Sequence, residues 1–189
     1  MSLTKATATD NEPMILVNEK DEEIGIQDKL SVHQSGLLHR AFSVFIFNTE
    51  GKLILQQRAD TKYHSPGLWT NTCCSHPRPE ELTLDACKRR LKEEMGMVVE
   101  PEFSFSFIYK YQFTNGLTEH EFDHVFIGIS NDQPVLNKDE VKSWRYIGLN
   151  ELESEILIHP ENYTPWLKIC LPKLKKQITK SRFKYDISV

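Results

Sequence analysis

Apolar and polar positions follow two rhythms along this chain. MILVN (14–18) and EIGIQ (23–27) are short apolar runs that read as strands. HRAFSVFIFNTEGKLILQQR (39–58) reads as a hairpin, with Asn48 to Gly51 as its turn. Phe42 to Phe47 is apolar at every position but one, so its strand should be covered on both sides. TKYHSPGLW (61–69) carries a Pro-Gly breaker and reads as a loop. From Leu82 to Met95 the period becomes helical. At roughly 100° per residue, Leu84, Cys87, Leu91 and Met95 form one apolar stripe, with Arg90 and Glu94 on its edge and Arg89 and Glu93 pointing away. Gly96 is placed to end that helix.

The two-residue rhythm returns in FSFSFIYKYQF (103–113), which sets Phe103, Phe105, Phe107, Tyr109, Tyr111 and Phe113 on one face. Asn115-Gly116 turns the chain. TEHEFDHVFIGIS (118–130) and VKSWRYIG (141–148) are further strands. Asn150 with Glu153 has the form of a capping box, and Thr164-Pro165 opens a last helix. Strands interrupted by helices, with no repeats, predict an α/β single domain of mixed β-sheets flanked by α-helices. Its expected bounds are 14–180, after a flexible leader over 1–13 and before a tail over 181–189.

Composition narrows the class. The 189 residues carry a formal net charge of -4, which argues against a protein that coats nucleic acid. No stretch is long and apolar enough to span a membrane. The four cysteines, Cys73, Cys74, Cys87 and Cys170, lack the spacing of a disulfide framework and point to a reducing cytoplasm.

Three stretches carry candidate chemistry. On a strand, EHEFDH puts Glu119, Glu121 and Asp123 on one face and His120, Phe122 and His124 on the other. The carboxylate face continues into apolar Val125, Ile127 and Ile129, and carboxylates in line with a buried stripe need a partner or a metal. His33, His39 and His76 with two carboxylates would make a mixed nitrogen and oxygen set, suited to zinc, manganese or magnesium. In NTCCSHP, adjacent cysteines on a strand point to opposite faces, so Cys74 and His76 would share one. Two inert core thiols, or one thiol tuned for proton transfer, both remain open there.

Beyond local patterns, EELTLDACKRRLKEEMGM resembles a degenerate Nudix box, with Glu81, Arg89, Leu91, Glu93, Glu94, Gly96 and Met97 in place. Ser75 stands where that box has Gly, and Arg90 where it has Glu. LLHRAFSVFIFN, WTNTCCSHP, RRLKEEMG, EHE and TPW, in this order over about residues 14 to 170, closely resemble the type 1 isopentenyl-diphosphate delta-isomerase family. The resemblance implies a Nudix-like domain that isomerises isopentenyl diphosphate to dimethylallyl diphosphate. It implies Cys74 and Glu121 as the proton-transfer pair, Tyr109 as an aid to the carboxylate and Trp166 as the active-site indole. It implies His33, His39, His76, Glu119 and Glu121 as ligands of one divalent metal, and Glu94 as ligand of a magnesium bound with the diphosphate. Lys29, Arg58, Lys62 and Arg90 match the basic residues that hold that diphosphate. The further expectations are a small-molecule substrate, no nucleic acid or membrane partner, and a monomer or weak dimer in the cytoplasm. A Nudix hydrolase of a nucleoside diphosphate derivative and a non-catalytic metal- or diphosphate-binding module are the alternatives. Neither alternative gives Cys74 and Glu121 a joint role. His64, His120, His124 and His159 receive no role.

Overall fold

The computed structural model describes residues 12–62 and 64–180. The strands are β1 (Pro13–Val17), β2 (Glu23–Asp28), β3 (His39–Phe47), β4 (Leu53–Arg58), β5 (Trp69–Thr70), β6 (Cys73–Ser75), β7 (Glu102–Gln112), β8 (Thr118–Ile129) and β9 (Val141–Ile147). The helices are α1 (Lys29–Ser35), α2 (Thr83–Met95), α3 (Leu149–Ile158) and α4 (Pro165–Lys180). The expected tail over 181–189 and the leader up to residue 11 lie outside the described residues. Pro13, assigned to the leader, already belongs to β1.

All nine strands join one branched sheet with β3 at its hub. β3 runs parallel to β8 from His39↔Glu121 to Phe47↔Ile129 and antiparallel to β6 at Phe42↔Ser75, Ser43↔Cys74 and Val44↔Cys73. Alternate residues of β3 enter two separate cores, as its unbroken apolar run requires. Phe45 and Phe47 pack with Val125, Ile127 and the α4 residues Leu167, Cys170, Leu171 and Leu174. Phe42, Val44 and Ile46 pack with Cys73, Phe126 and the α2 residues Ala86, Cys87, Leu91 and Met95. Fully burying each such side chain contributes roughly 1.5–3 kcal/mol, so the two helix layers clamp the sheet from both sides.

The hairpin expected over 39–58 is a splayed one. β3 and β4 pair only at Phe47↔Leu53, beside the turn. Residues 69–75 fill the widening gap, with β5 on β4 and β6 on β3. Thr72 ties the split together: its hydroxyl accepts from Ile46 N at 2.9 Å and donates to Ile54 O at 2.7 Å.

Several local expectations change. The alternation of β7 breaks at a bulge between Phe103 and Phe105. Phe103 therefore turns to the other face, against Phe126 and His124, while Phe105 and Phe107 pack on the α4 core. Leu84 lies at the exposed end of its stripe, and Ala86 is buried instead. α3 begins at Leu149 with Gly148 as N-cap and no side-chain cap; Asn150 and Glu153 bind Lys175 instead. The seven-residue α1 has no sequence counterpart above. Asp28 caps it by accepting from Ser31 N at 2.9 Å, and Gly36 ends it at φ 62°, a left-handed value that suits glycine. Gly96 ends α2 in the same way, as its sequence position implied.

Candidate active site

Register places the chemistry. Residues directly paired across β6, β3 and β8 share a face, so Cys74, His39, Glu121 and Asp123 emerge on the α4 side of the sheet. β6 is too short to continue past Ser75, but its alternation carries His76 to that same side. α1 delivers His33 from above the start of β3.

Four ligand atoms, one each from His33, His39, His76 and Glu119, lie within 4.8 Å of one another. Glu121 joins them, its Oε1 3.1 Å from His76 Nε2 and 3.7 Å from His39 Nε2. His33 Nδ1 is 2.7 Å from Lys29 O, and His39 Nδ1 is 2.9 Å from Leu37 O. A carbonyl can only accept, so each Nδ1 carries a proton, and in the neutral imidazole each Nε2 turns a lone pair inward. There His33 Nε2 meets Glu119 Oε2 at 3.3 Å, and His39 Nε2 is buried with no hydrogen-bond partner among the described residues. Acceptors gathered face to face in a buried site call for a cation, and this donor set fits a divalent metal.

Tyr109 Oη donates to Glu121 Oε2 at 2.7 Å. Burial, and then the charge of Glu121, hold the Tyr109 phenol well above its usual range. Burial pushes the half-buried Cys74 thiol up to about 12, Arg58 opposing, so Cys74 keeps its proton at neutral pH. Cys73 points the other way, fully buried against α2. Asp123 sits beneath the site, fully buried, accepting from Ser43 Oγ at 2.9 Å. Burial, and then the nearby Glu121 charge, hold it well above the carboxylate range.

Trp166 is fixed at the start of α4. Its Nε1 donates to Thr70 Oγ1 at 2.8 Å, and Thr164 Oγ1 donates to the same oxygen at 3.0 Å. The Arg58 guanidinium lies 5.2 Å from the indole centroid, within cation–π range. Burial lowers the Lys29 ammonium, the charges of Glu119 and Glu12 opposing it and those of Lys62 and Arg58 adding to it.

Arg90 and Glu94 extend from α2 toward Gln56 of β4 and Glu140. Arg90 Nη2 donates to Glu94 Oε1 at 2.6 Å, and Gln56 Nε2 donates to Glu94 Oε2 at 2.9 Å. Glu140 pairs with Lys62 and lies 3.4 Å from Arg90. Nine of the residues proposed from sequence or added by the structure thus form two clusters, His33, His39, His76, Glu119 and Glu121 in one, and Lys62, Arg90 and Glu94 with Glu140 in the other. Sequence reasoning missed Glu140 and His64. His64 is buried, its Nε2 3.3 Å from Glu119 Oε1. His120 and His124 lie on the far face of β8, bonded to Gly36 O and Asp21, and His159 is at the surface beside Glu161. No helix among the described residues is long and apolar enough to cross a membrane.

This fold and site define a class first. The NUDIX domain family model matches residues 37–168. A crystal structure of a Deinococcus radiodurans protein superposes with a TM-score of 0.72 at 20% identity, covering 86% of this chain and 98% of that one. Sequence relatives are more specific. Isopentenyl-diphosphate Delta-isomerase 2 of Aromatoleum aromaticum is 51% identical, covering 85% of each chain. The isopentenyl-diphosphate Delta-isomerase of Pectobacterium atrosepticum is 45% identical, covering 85% of this chain and 90% of that one. The chain belongs to the isopentenyl-diphosphate Delta-isomerase family of NUDIX-domain proteins.

Proposed function

We propose that the protein interconverts isopentenyl and dimethylallyl diphosphate. The observation that carries this reading is the pair formed by Cys74 and the Tyr109-linked Glu121 on one face of the sheet, beside a cluster that fits a metal. A proton adds to the terminal alkene carbon, and positive charge develops on the tertiary carbon. Loss of a proton from the neighbouring methylene then re-forms the double bond one position along. Cys74 and Glu121 are the two proton-transfer groups, and Tyr109 holds the Glu121 carboxylate and exchanges a proton with it. The Trp166 indole faces the cation, an attraction of about 0.5–2 kcal/mol that grows when water is excluded.

The diphosphate takes the basic residues. Arg58 and Arg90 offer forked hydrogen bonds, and Lys29 and Lys62 point charges. Magnesium bound with the diphosphate at Glu94 would offset phosphate charge; a single carboxylate plus phosphate oxygens is its usual set. His33, His39, His76, Glu119 and Glu121 would hold the other divalent metal, zinc, manganese or magnesium, whose charge would fix the Glu121 carboxylate in place. The protein works in the cytoplasm as a monomer or weak dimer on a small-molecule substrate, without nucleic acid or membrane partners. Incubation with isopentenyl diphosphate and magnesium in heavy water, followed by NMR, tests the reading. Deuterated dimethylallyl diphosphate supports it, while phosphate release without isomerisation would replace it with hydrolysis.

A further inference from the structure

His64 is the buried histidine that the proposed reaction leaves unused, and its neighbours are the parts that reaction needs. The loop bearing it is pinned to β4. Arg58 donates to His64 O and Ser65 O, both at 3.1 Å, and Gln57 Nε2 donates to Gly67 O at 3.0 Å. Gly67 (φ 69°) allows the tight return, where a Cβ would come within 2.9 Å of Asp60 Oδ1. The imidazole is packed on two rings. One face lies on Phe113, with centroids 5.3 Å apart. It meets Trp166 edge to face, at 5.7 Å and 84°. Its Nε2 reaches Glu119 Oε1 at 3.3 Å.

The two oxygens of Glu119 therefore have different partners. Oε2 faces His33 and His39, inside the candidate metal cluster. Oε1 faces His64, outside it. A polar partner against the outer oxygen of a carboxylate narrows the orientations of the inner one, which is how outer partners set the affinity of a metal site. We propose that His64 is a positioning residue: through Nε2 it orients Glu119 for the divalent metal, and through its ring it braces Trp166. Arg58 completes the link, holding the His64 carbonyl while lying over the same indole. The metal cluster and the aromatic wall are thereby set by one side chain from the 64–68 loop.

This inference rests on the metal reading of the His/Glu cluster. The test measures zinc affinity of the full chain by competition with a chromophoric chelator, alongside kcat and KM. His64→Phe keeps a ring against Phe113 and Trp166 but loses the nitrogen that faces Glu119 Oε1. It should weaken zinc binding about 10–100-fold, lower kcat, and leave KM for isopentenyl diphosphate within about twofold. His64→Gln keeps an amide donor and should restore zinc affinity to within about threefold of the parent, while kcat stays reduced because the ring is gone. Parent-like zinc affinity in His64→Phe overturns the inference. Equal loss of zinc in both variants also overturns it, by making the imidazole itself a ligand. Glu119→Gln separates the two levels. If it loses zinc while His64→Phe does not, only the role of His64 falls. If Glu119→Gln binds zinc like the parent, the metal reading falls and the inference with it.

Discussion

The two charged clusters beside the sheet have opposite electrostatic designs. In the His33–His39–His76–Glu119–Glu121 group, three histidine Nε2 atoms converge on two carboxylates, and His39 Nε2 has no hydrogen-bond partner among the described residues. In the Lys62–Arg90–Glu94–Glu140 group, two cations already meet two carboxylates, although Arg90 Nε is itself buried without a hydrogen-bond partner among the described residues. Buried acceptors without a cation cost several kcal/mol, whereas a paired network is largely compensated. The first cluster is built to gain a cation. On the proposed reading the second exchanges partners, giving its cations to an incoming diphosphate and its carboxylate to an accompanying ion. Holding and exchanging are thus divided between neighbouring sites on one sheet.

Removing the proton-transfer groups should produce the largest effects. Cys74→Ala and Glu121→Gln should each lower kcat between about a hundredfold and ten-thousandfold in the NMR assay. Only Glu121→Gln should also lose zinc. Cys73→Ala is the internal control: its thiol lies in the α2 core, so the variant loses on the order of 1 kcal/mol of stability and keeps most turnover. Equal loss of turnover in the two cysteine variants would remove the distinction that β6 draws between its faces.

Glu94→Gln tests the division itself. It should leave zinc affinity within about twofold and raise the magnesium concentration needed for half-maximal turnover about tenfold. A Glu94→Gln protein that sheds zinc would show that the clusters act as one.

Lys62→Ala should act more mildly. Lys62 is paired with Glu140 and only partly buried, so the loss falls on diphosphate binding. KM should rise about tenfold and kcat should change less than threefold, with the difference shrinking as salt is added. A kcat loss as large as that of Cys74→Ala would place Lys62 among the reacting groups.

The parts of this arrangement that were legible in the sequence are those fixed by one element's own period. Strand alternation in EHEFDH put Glu119 and Glu121 together, and helical spacing put Arg90 and Glu94 together; both hold. The family resemblance joined the distant pieces. What escaped depends on contacts between remote segments. The splay of β3 from β4 is set by residues 69–75 entering from later in the chain. α1 spans seven residues with a cap on Asp28, too short and too polar to show a period. His64 meets Glu119 across 55 positions, and its local sequence is an ordinary turn. The bulge beside Phe103 was hidden because an extra residue in a strand leaves the apolar alternation intact while reversing the face.

The smallest expected effect lies at the solvent end of the helix that carries Arg90 and Glu94. Glu81 accepts from Arg89 Nε at 2.7 Å and Nη2 at 2.8 Å, and from Arg78 N at 2.9 Å. These bonds, the Arg89 pair foremost, hold the Glu81 carboxyl below its ordinary 4.5. A carboxylate lowered by folding stabilises the folded chain above its unfolded pKa, and that stabilisation is lost as pH falls through the lowered value. Glu81→Gln should therefore lower Tm near pH 7 and make no difference once both forms of the carboxyl are protonated. Because the pair is partly solvated, its contribution is at most about 1 kcal/mol, or roughly 2–4 °C. Thermal melts of parent and variant across acid pH check this. The two curves should converge on acidification, with turnover at neutral pH and zinc affinity unchanged. A loss of zinc in Glu81→Gln would mean that α2 transmits strain across the sheet to the metal cluster, and that the two clusters are not independent.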